Sequence, residues 1–300
     1  MKTKAELSKK AILGIWILMA AAMLMLVLFN HTESIPAVPQ QSPEEFLNSV
    51  PYTVTQFAGK TLYITQPSSS VFVHLLGILM IAAGIYFVVK AQGQRSRLNL
   101  GTGFIFWGAS AILAGLSYQT FTYHLKYAGR EYGIFTSIFE LEYLITTAFA
   151  ISFIIAGMAY SFLTGKKRKK LLYFSVIFCA VYFVFLFLGT AIPVKLFVTY
   201  EFFVAFMAVI FIVAFIVCIK HYKTYKDKLS RDHIIIYISF LVVNAGYFIY
   251  LLSGAGEVLL NRYNIWFNAN DVLHILLILW LAEYFFMLKD QLKDEKQISE

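Results

Sequence analysis

The stretch Phe202-Phe203-Val204-Ala205-Phe206-Met207-Ala208-Val209-Ile210-Phe211-Ile212-Val213-Ala214-Phe215-Ile216-Val217-Cys218-Ile219 contains no charged residue, no proline and no glycine. As a helix it is long enough to cross most of the ~30 Å hydrocarbon core of a bilayer. In lipid the backbone polar groups must bond internally, which leaves a helix or a closed barrel, and the run shows none of the polar/apolar alternation of barrel strands. Working outward from this run, which occupies 196–219, seven more of the same kind appear at about 11–29, 71–90, 102–124, 143–164, 171–192, 233–253 and 266–288. With 59% hydrophobic and 14% charged residues and a mean hydropathy of +0.70, the composition excludes a soluble domain. The expected fold class is all-α, a polytopic membrane helical bundle of eight transmembrane helices: one anchor followed by a seven-helix core.

Orientation follows from where Lys and Arg fall between the runs. With the N-terminus inside, the inner segments hold 20 basic residues and the outer segments only five (Lys60, Lys126, Arg130, Lys195 and Arg262). The expected topology is N-in and C-in. The net charge of +8 is accounted for by loop retention at the inner face, so no nucleic-acid partner is implied. The run Lys166-Lys167-Arg168-Lys169-Lys170 reads as a topology determinant in a short loop rather than a regulatory patch. The setting expected is a bacterial inner (plasma) membrane, with membrane lipid as the partner. Cys179 and Cys218 lie within or at the end of spans and read as packing residues, not a disulfide.

Residues 1–29 form a basic tail and an anchor; the apolar run is long for a signal peptide and no Ala-x-Ala cleavage site follows it. Residues 30–70 form an extracytoplasmic insert, its prolines (Pro36, Pro39, Pro43, Pro51, Pro67) arguing against a long helix. Within it, residues 52–65 alternate around Gly59-Lys60 and predict a small hairpin. Residues 71–288 are the seven-helix unit and 289–300 an inner tail. Ala111-x-x-x-Gly115 predicts a close helix approach.

The chemistry-bearing residues gather towards the outer leaflet. Ser117, Thr120 and His124 share a face of one span at spacings of four and seven. Glu140 and Glu142 precede the next span, Glu201 lies near the outer end of another, and His74 begins the first span of the core. The last span opens with Asn268-Ala269-Asn270-Asp271-Val272-Leu273-His274. Ionisable groups within a membrane are expensive, so such a cluster is a site hypothesis. His124, His274 and Asp271 offer two nitrogens and a carboxylate, a donor set that suits catalytic zinc with a water in the fourth position. Thr120 and Ser117 are then placed to orient that water or an oxyanion, with Glu142 as the acid–base group. Asn268 and Asp271 have a competing reading, a helix N-cap with an acid in the first turn.

At these residues the chain resembles the superfamily of alkaline ceramidases and adiponectin-receptor-like proteins. Thr120-x-x-x-His124 stands where those proteins carry Ser-x-x-x-His, Glu140 or Glu142 follows as the acid, and Asn270-x-x-x-His274 stands where they carry His-x-x-x-His. The resemblance spans 71–288 and implies a zinc-dependent hydrolase of lipid amide or ester bonds, reached sideways from the outer leaflet. Asn270 departs from the pattern, since asparagine is a poor zinc ligand. Two other functions stand beside it: a non-enzymatic seven-helix binder or sensor that keeps the scaffold without the metal, and a transporter using Asp271, His274 and Glu201.

Overall fold

The computed structural model describes residues 14, 17, 18 and 20–295. The basic tail 1–10 and most of the first half of run 11–29 lie outside the described residues. Residues 20–28 are helical, with Leu26 buried and Phe29 packed edge-on against Phe187.

The insert of residues 30–66 follows. Helix α1 (Pro43–Ser49) is short, as its proline content demands, and opens with Pro43 in its first turn. Ser42 and Glu45 form a reciprocal capping box there, with the Ser42 N–H donating to Glu45 at 2.7 Å. Strands β1 (Tyr52–Phe57) and β2 (Lys60–Thr65) pair antiparallel with Tyr52 opposite Thr65, so the expected hairpin is present. Its turn sits one residue earlier than the sequence reading placed it: Ala58 and Gly59 both adopt positive φ, the geometry a two-residue hairpin turn needs.

Seven helices among the described residues are long and apolar enough to cross a membrane: α2 (Pro67–Val89), α3 (Arg95–Gly115, continuing to Thr120), α4 (Ile138–Phe162), α5 (Gly165–Ala191), α6 (Tyr200–Tyr225), α7 (Lys228–Leu252) and, after a short surface helix α8 (Ala255–Tyr263), α9 (Ala269–Leu288). They correspond one for one to the seven core runs of the sequence. This architecture fits an integral membrane protein built as a polytopic helical bundle. Helices α2, α3, α4, α6, α7 and α9 close a ring in which α9 returns to α2, and α5 packs mainly on the outside of α4. The bundle is filled by aliphatic and aromatic side chains from all seven helices, and Cys179 and Cys218 are buried free thiols within it.

Glycine decides how tightly the first three helices of the ring pack. Gly77 and Gly84 on α2 face Gly108 and Gly101 on α3, so that a Cβ built at any of the four would lie 2.5–2.8 Å from the carbonyl oxygen of its partner. On the other flank of α3, a Cβ at Gly103 would lie 2.9 Å from the Ala150 carbonyl of α4. Close approach of backbones is the main way helices gain contact in lipid, where no hydrophobic force drives them together. Gly115, part of the small-residue pair expected from sequence, continues this series and lies against Val73 and the ring of His74.

Past Gly115 the chain leaves regular α geometry. Phe121 N–H bonds to the Leu116 carbonyl and Ala128 N–H to that of Tyr123, each at 2.8 Å, so Leu116–Thr120 and Tyr123–Tyr127 are successive π turns. Such wide turns recur near functional sites, and here they shift the phase of every side chain from Ser117 onward. At the opposite end, the tail after α9 is folded back over the bundle. Asp294 accepts from the Arg95 and Ser96 N–H groups at 3.0 and 2.7 Å, capping α3, and Leu292 is buried.

Candidate functional site

Asn268 is the N-cap of α9. Its Oδ1 accepts from the N–H groups of Asn270 and Asp271, while Asp271 Oδ2 accepts from the Asn268 N–H at 2.7 Å. The capping reading of this motif is therefore realised. Asp271 also receives two hydroxyls from the start of α2, Ser69 at 2.9 Å on Oδ1 and Ser68 at 3.2 Å on Oδ2. The carboxylate is wholly buried and takes three donors, so it ties the N-terminal ends of α2 and α9 together.

One turn further in, His274 is 9% exposed and lies against the backbone of Asn270, four residues earlier on the same helix. His74 on α2 is near enough to interact with it electrostatically, and spends its own Nδ1 on the Ser70 carbonyl at 2.6 Å. His124 is elsewhere. It sits in the second π turn, among the rings of Tyr63 and Tyr123, and its Nε2 accepts the Tyr63 backbone N–H at 2.9 Å. Burial lowers its pKa below the usual imidazole value, which keeps it neutral and able to accept. This histidine fastens the hairpin to the end of α3.

Among the described residues, the expected zinc set of His124, Asp271 and His274 does not come together as a three-donor group. Among the described residues, no three His, Cys, Asp or Glu side chains stand together as a metal site requires. The physical reasons are local. The hairpin claims the Nε2 of His124, while the cap and two serines take three of the acceptor positions of the Asp271 carboxylate, so both groups are held by structural partners on different elements.

The expected catalytic trio also separates. Ser117 is fully buried, pairs with Ser137 Oγ at 2.6 Å and donates to Glu140 Oε1 at 2.7 Å. Glu140, not Glu142, is thus the acid beside Ser117. Residues two apart on a helix point about 200° from each other, so only one can face α3. Glu142 is part-exposed and makes no hydrogen bond or ion pair among the described residues. Thr120 Oγ1 and Gln119 Oε1 are buried without partners, also among the described residues. Glu201 is exposed in the first turn of α6 and joins none of these groups.

Sequence reasoning missed Lys126, counted above only as an outer charge. It is 8% exposed, lies 2.5 Å from Glu140 Oε1, donates to the Phe135 carbonyl at 3.0 Å and stands over the Tyr118 ring. No spacing rule links two residues on separate elements; the pairing appears only once the π turns place Lys126 over the start of α4. Ser117, Ser137, Glu140 and Lys126 form a closed polar network with each charge compensated, which braces the segment between α3 and α4 against the bundle. A serine sealed at 0% exposure cannot reach a substrate without unpacking that network.

Two cavities accompany these groups. One of about 30 Å³ lies inside the ring, walled by Trp107, Phe211, His233, Phe240, Trp280 and Tyr284. The other, of about 190 Å³, opens between the C-terminal end of α7, α8 and the approach to α9. No family model, curated protein or solved structure matches this chain.

Proposed function

We propose that this protein is a non-catalytic seven-helix membrane binding protein or sensor, on a scaffold resembling the ceramidase and adiponectin-receptor superfamily but without its metal. The observation that carries the reading is the engagement of Asp271 and His124. The two groups that zinc chemistry would need free hold the α2–α9 junction and the hairpin instead. Asn270 in place of a histidine supports the same reading. The ligand we propose is a membrane lipid or small amphiphile, taken from the outer side of a plasma (inner) membrane. The run 11–29 is an eighth span in this proposal, and both termini are inside, as the distribution of Lys and Arg indicates.

One observation favours the hydrolase reading: Thr120 Oγ1 is buried and unpartnered among the described residues, and a group that holds an oxyanion would use just such an atom. Metal content of detergent-purified protein by mass spectrometry, wild type beside His124→Ala and His274→Ala, separates the two. The binder reading expects no zinc in the wild type above the level of either variant. Near-stoichiometric zinc that falls in both folded variants would overturn it.

A further inference from the structure

We infer that the outer cavity between α7, α8 and α9 receives the ammonium-bearing headgroup of a zwitterionic phospholipid. The inference deepens the binding reading above by naming its substrate class. The cavity is walled by Tyr250 and Leu251 at the end of α7, Glu257 and Leu260 on α8, and Trp266 and Phe267 on the approach to α9. Because α7 and α9 are spanning helices that end and begin here, the cavity lies at headgroup level. Its surroundings have the composition of a membrane interface. Leu252, Val258, Tyr263 and Ile265 are exposed apolar side chains on or beside a short helix that also carries Glu257 and Arg262.

The lining is asymmetric in charge. Glu257 is its one ionised group and makes no ion pair among the described residues. The nearest basic residue in sequence, Arg262, instead stands 5.7 Å from the ring centre of Tyr263 and does not line the cavity. The Tyr250 and Phe267 rings meet edge to face at 6.0 Å, and the Tyr250 hydroxyl is spent on the Phe267 carbonyl at 2.6 Å, so these rings offer faces rather than polar atoms. The Trp266 indole N–H is buried with no acceptor among the described residues. An unpaired indole donor is unusual, and reorientation of the ring towards the cavity that Trp266 lines would give it a phosphate or ester oxygen.

The chemistry that satisfies all of these is a cation joined by a short chain to an acceptor oxygen. The ammonium sits between Glu257 and the aromatic faces, and the phosphate or ester oxygen takes the indole N–H. An anionic lipid without an ammonium would meet Glu257 as a like charge. At about 190 Å³ the space exceeds the ~150 Å³ that holds a benzene in an engineered protein cavity. Small residues keep it open: a Cβ at Gly256 would lie 3.2 Å from the Phe267 carbonyl.

The test is native mass spectrometry of the full chain titrated with phosphatidylethanolamine and phosphatidylglycerol of matched acyl chains. The wild type should retain the ethanolamine lipid about fivefold over the glycerol lipid, the ratio that about 1 kcal/mol of differential interaction produces. Glu257→Gln, at an exposed position that does not threaten folding, should bring the two to parity. Trp266→Phe should lower total retention while leaving the preference. Equal retention by the wild type, a preference for the glycerol lipid, or a preference untouched by Glu257→Gln would overturn the inference. Zinc in the purified protein would sink the metal-free reading but would leave this lipid ratio readable, so the two failures are distinguishable.

Discussion

Replacing Gly84 by alanine tests the packing on which the bundle depends. The new Cβ would lie 2.6 Å from the Gly101 carbonyl and 2.8 Å from both the backbone nitrogen and a side-chain carbon of Ile105. Ordinary contact begins near 3.4 Å, so α2 and α3 must part by about 0.8 Å. Two of the three neighbours are backbone, so no side-chain rotation relieves the clash. Overpacking of this kind costs about 1–3 kcal/mol, and backbone obstruction places Gly84 at the upper end. Alanine returns up to about 1 kcal/mol in helix propensity, leaving a net loss of about 2 kcal/mol. Gly246→Ala is the matched control, because its only close neighbour is the terminal methyl of Leu276 at 3.1 Å, which can swing away. That variant should hold or gain stability. Thermal unfolding in detergent, followed by intrinsic fluorescence, should place Gly84→Ala about 4–8 °C below wild type, at 2–4 °C per kcal/mol, with Gly246→Ala at or above it. A Gly84→Ala protein as stable as wild type, beside a destabilised Gly246→Ala, would refute the account of tight α2–α3 contact.

Lys126→Met leaves Glu140 buried without its cation and should cost about 3–5 kcal/mol, with most of the loss recovered in the Lys126→Met/Glu140→Leu double variant; the readout is Tm, and failure of the double variant to recover would indicate that the pair does not act as a unit. Asp271→Ala removes the α9 capping box and strands the Ser68 and Ser69 hydroxyls, an expected loss of about 2 kcal/mol with no change in metal content; a Tm equal to wild type would contradict it. His124, its pKa held below 6.5 by burial, binds fewer protons folded than unfolded. Its contribution is therefore complete above about pH 6.5 and is lost as pH falls from there through the lower folded value. His124→Phe should flatten that part of the Tm-against-pH profile, and a profile of unchanged slope would show that the Tyr63 contact carries no such linkage.

Much of the architecture was legible in the chain. Eighteen uncharged apolar residues from Phe202 onward admit one structure in lipid, and the same logic located the seven long helices of the described residues with starts and ends up to seven residues away, while the expected span at 11–29 falls partly outside the described residues. The N-cap at Asn268 and the hairpin at 52–65 were also readable, because caps and tight turns are decided by neighbours a few positions away. Gly77, Gly84, Gly101 and Gly108 carried a signal that went unused, a spacing of seven on each of two consecutive helices. Helix α8 went unnoticed since nine residues between two apolar runs look like a loop.

The site was another matter. Depth along a helix can be counted from sequence, and that count correctly placed Ser117, Thr120, His124, Asp271 and His274 towards one end of the bundle. Which of them meet is decided by rotation, and rotation depends on where α geometry gives way. The π turns after Gly115 send Ser117 to Glu140, bring Lys126 into the interior and turn His124 to the hairpin, while the serines at the start of α2 close over Asp271. Sequence alone determined the solvent this chain folds in and where the seven long core helices fall, because both follow from hydrophobicity summed over many residues. Only the tertiary structure decided the partners of its few buried polar groups, because each such pairing is a single contact between elements far apart in the chain, and a rotation of one residue's worth redirects it.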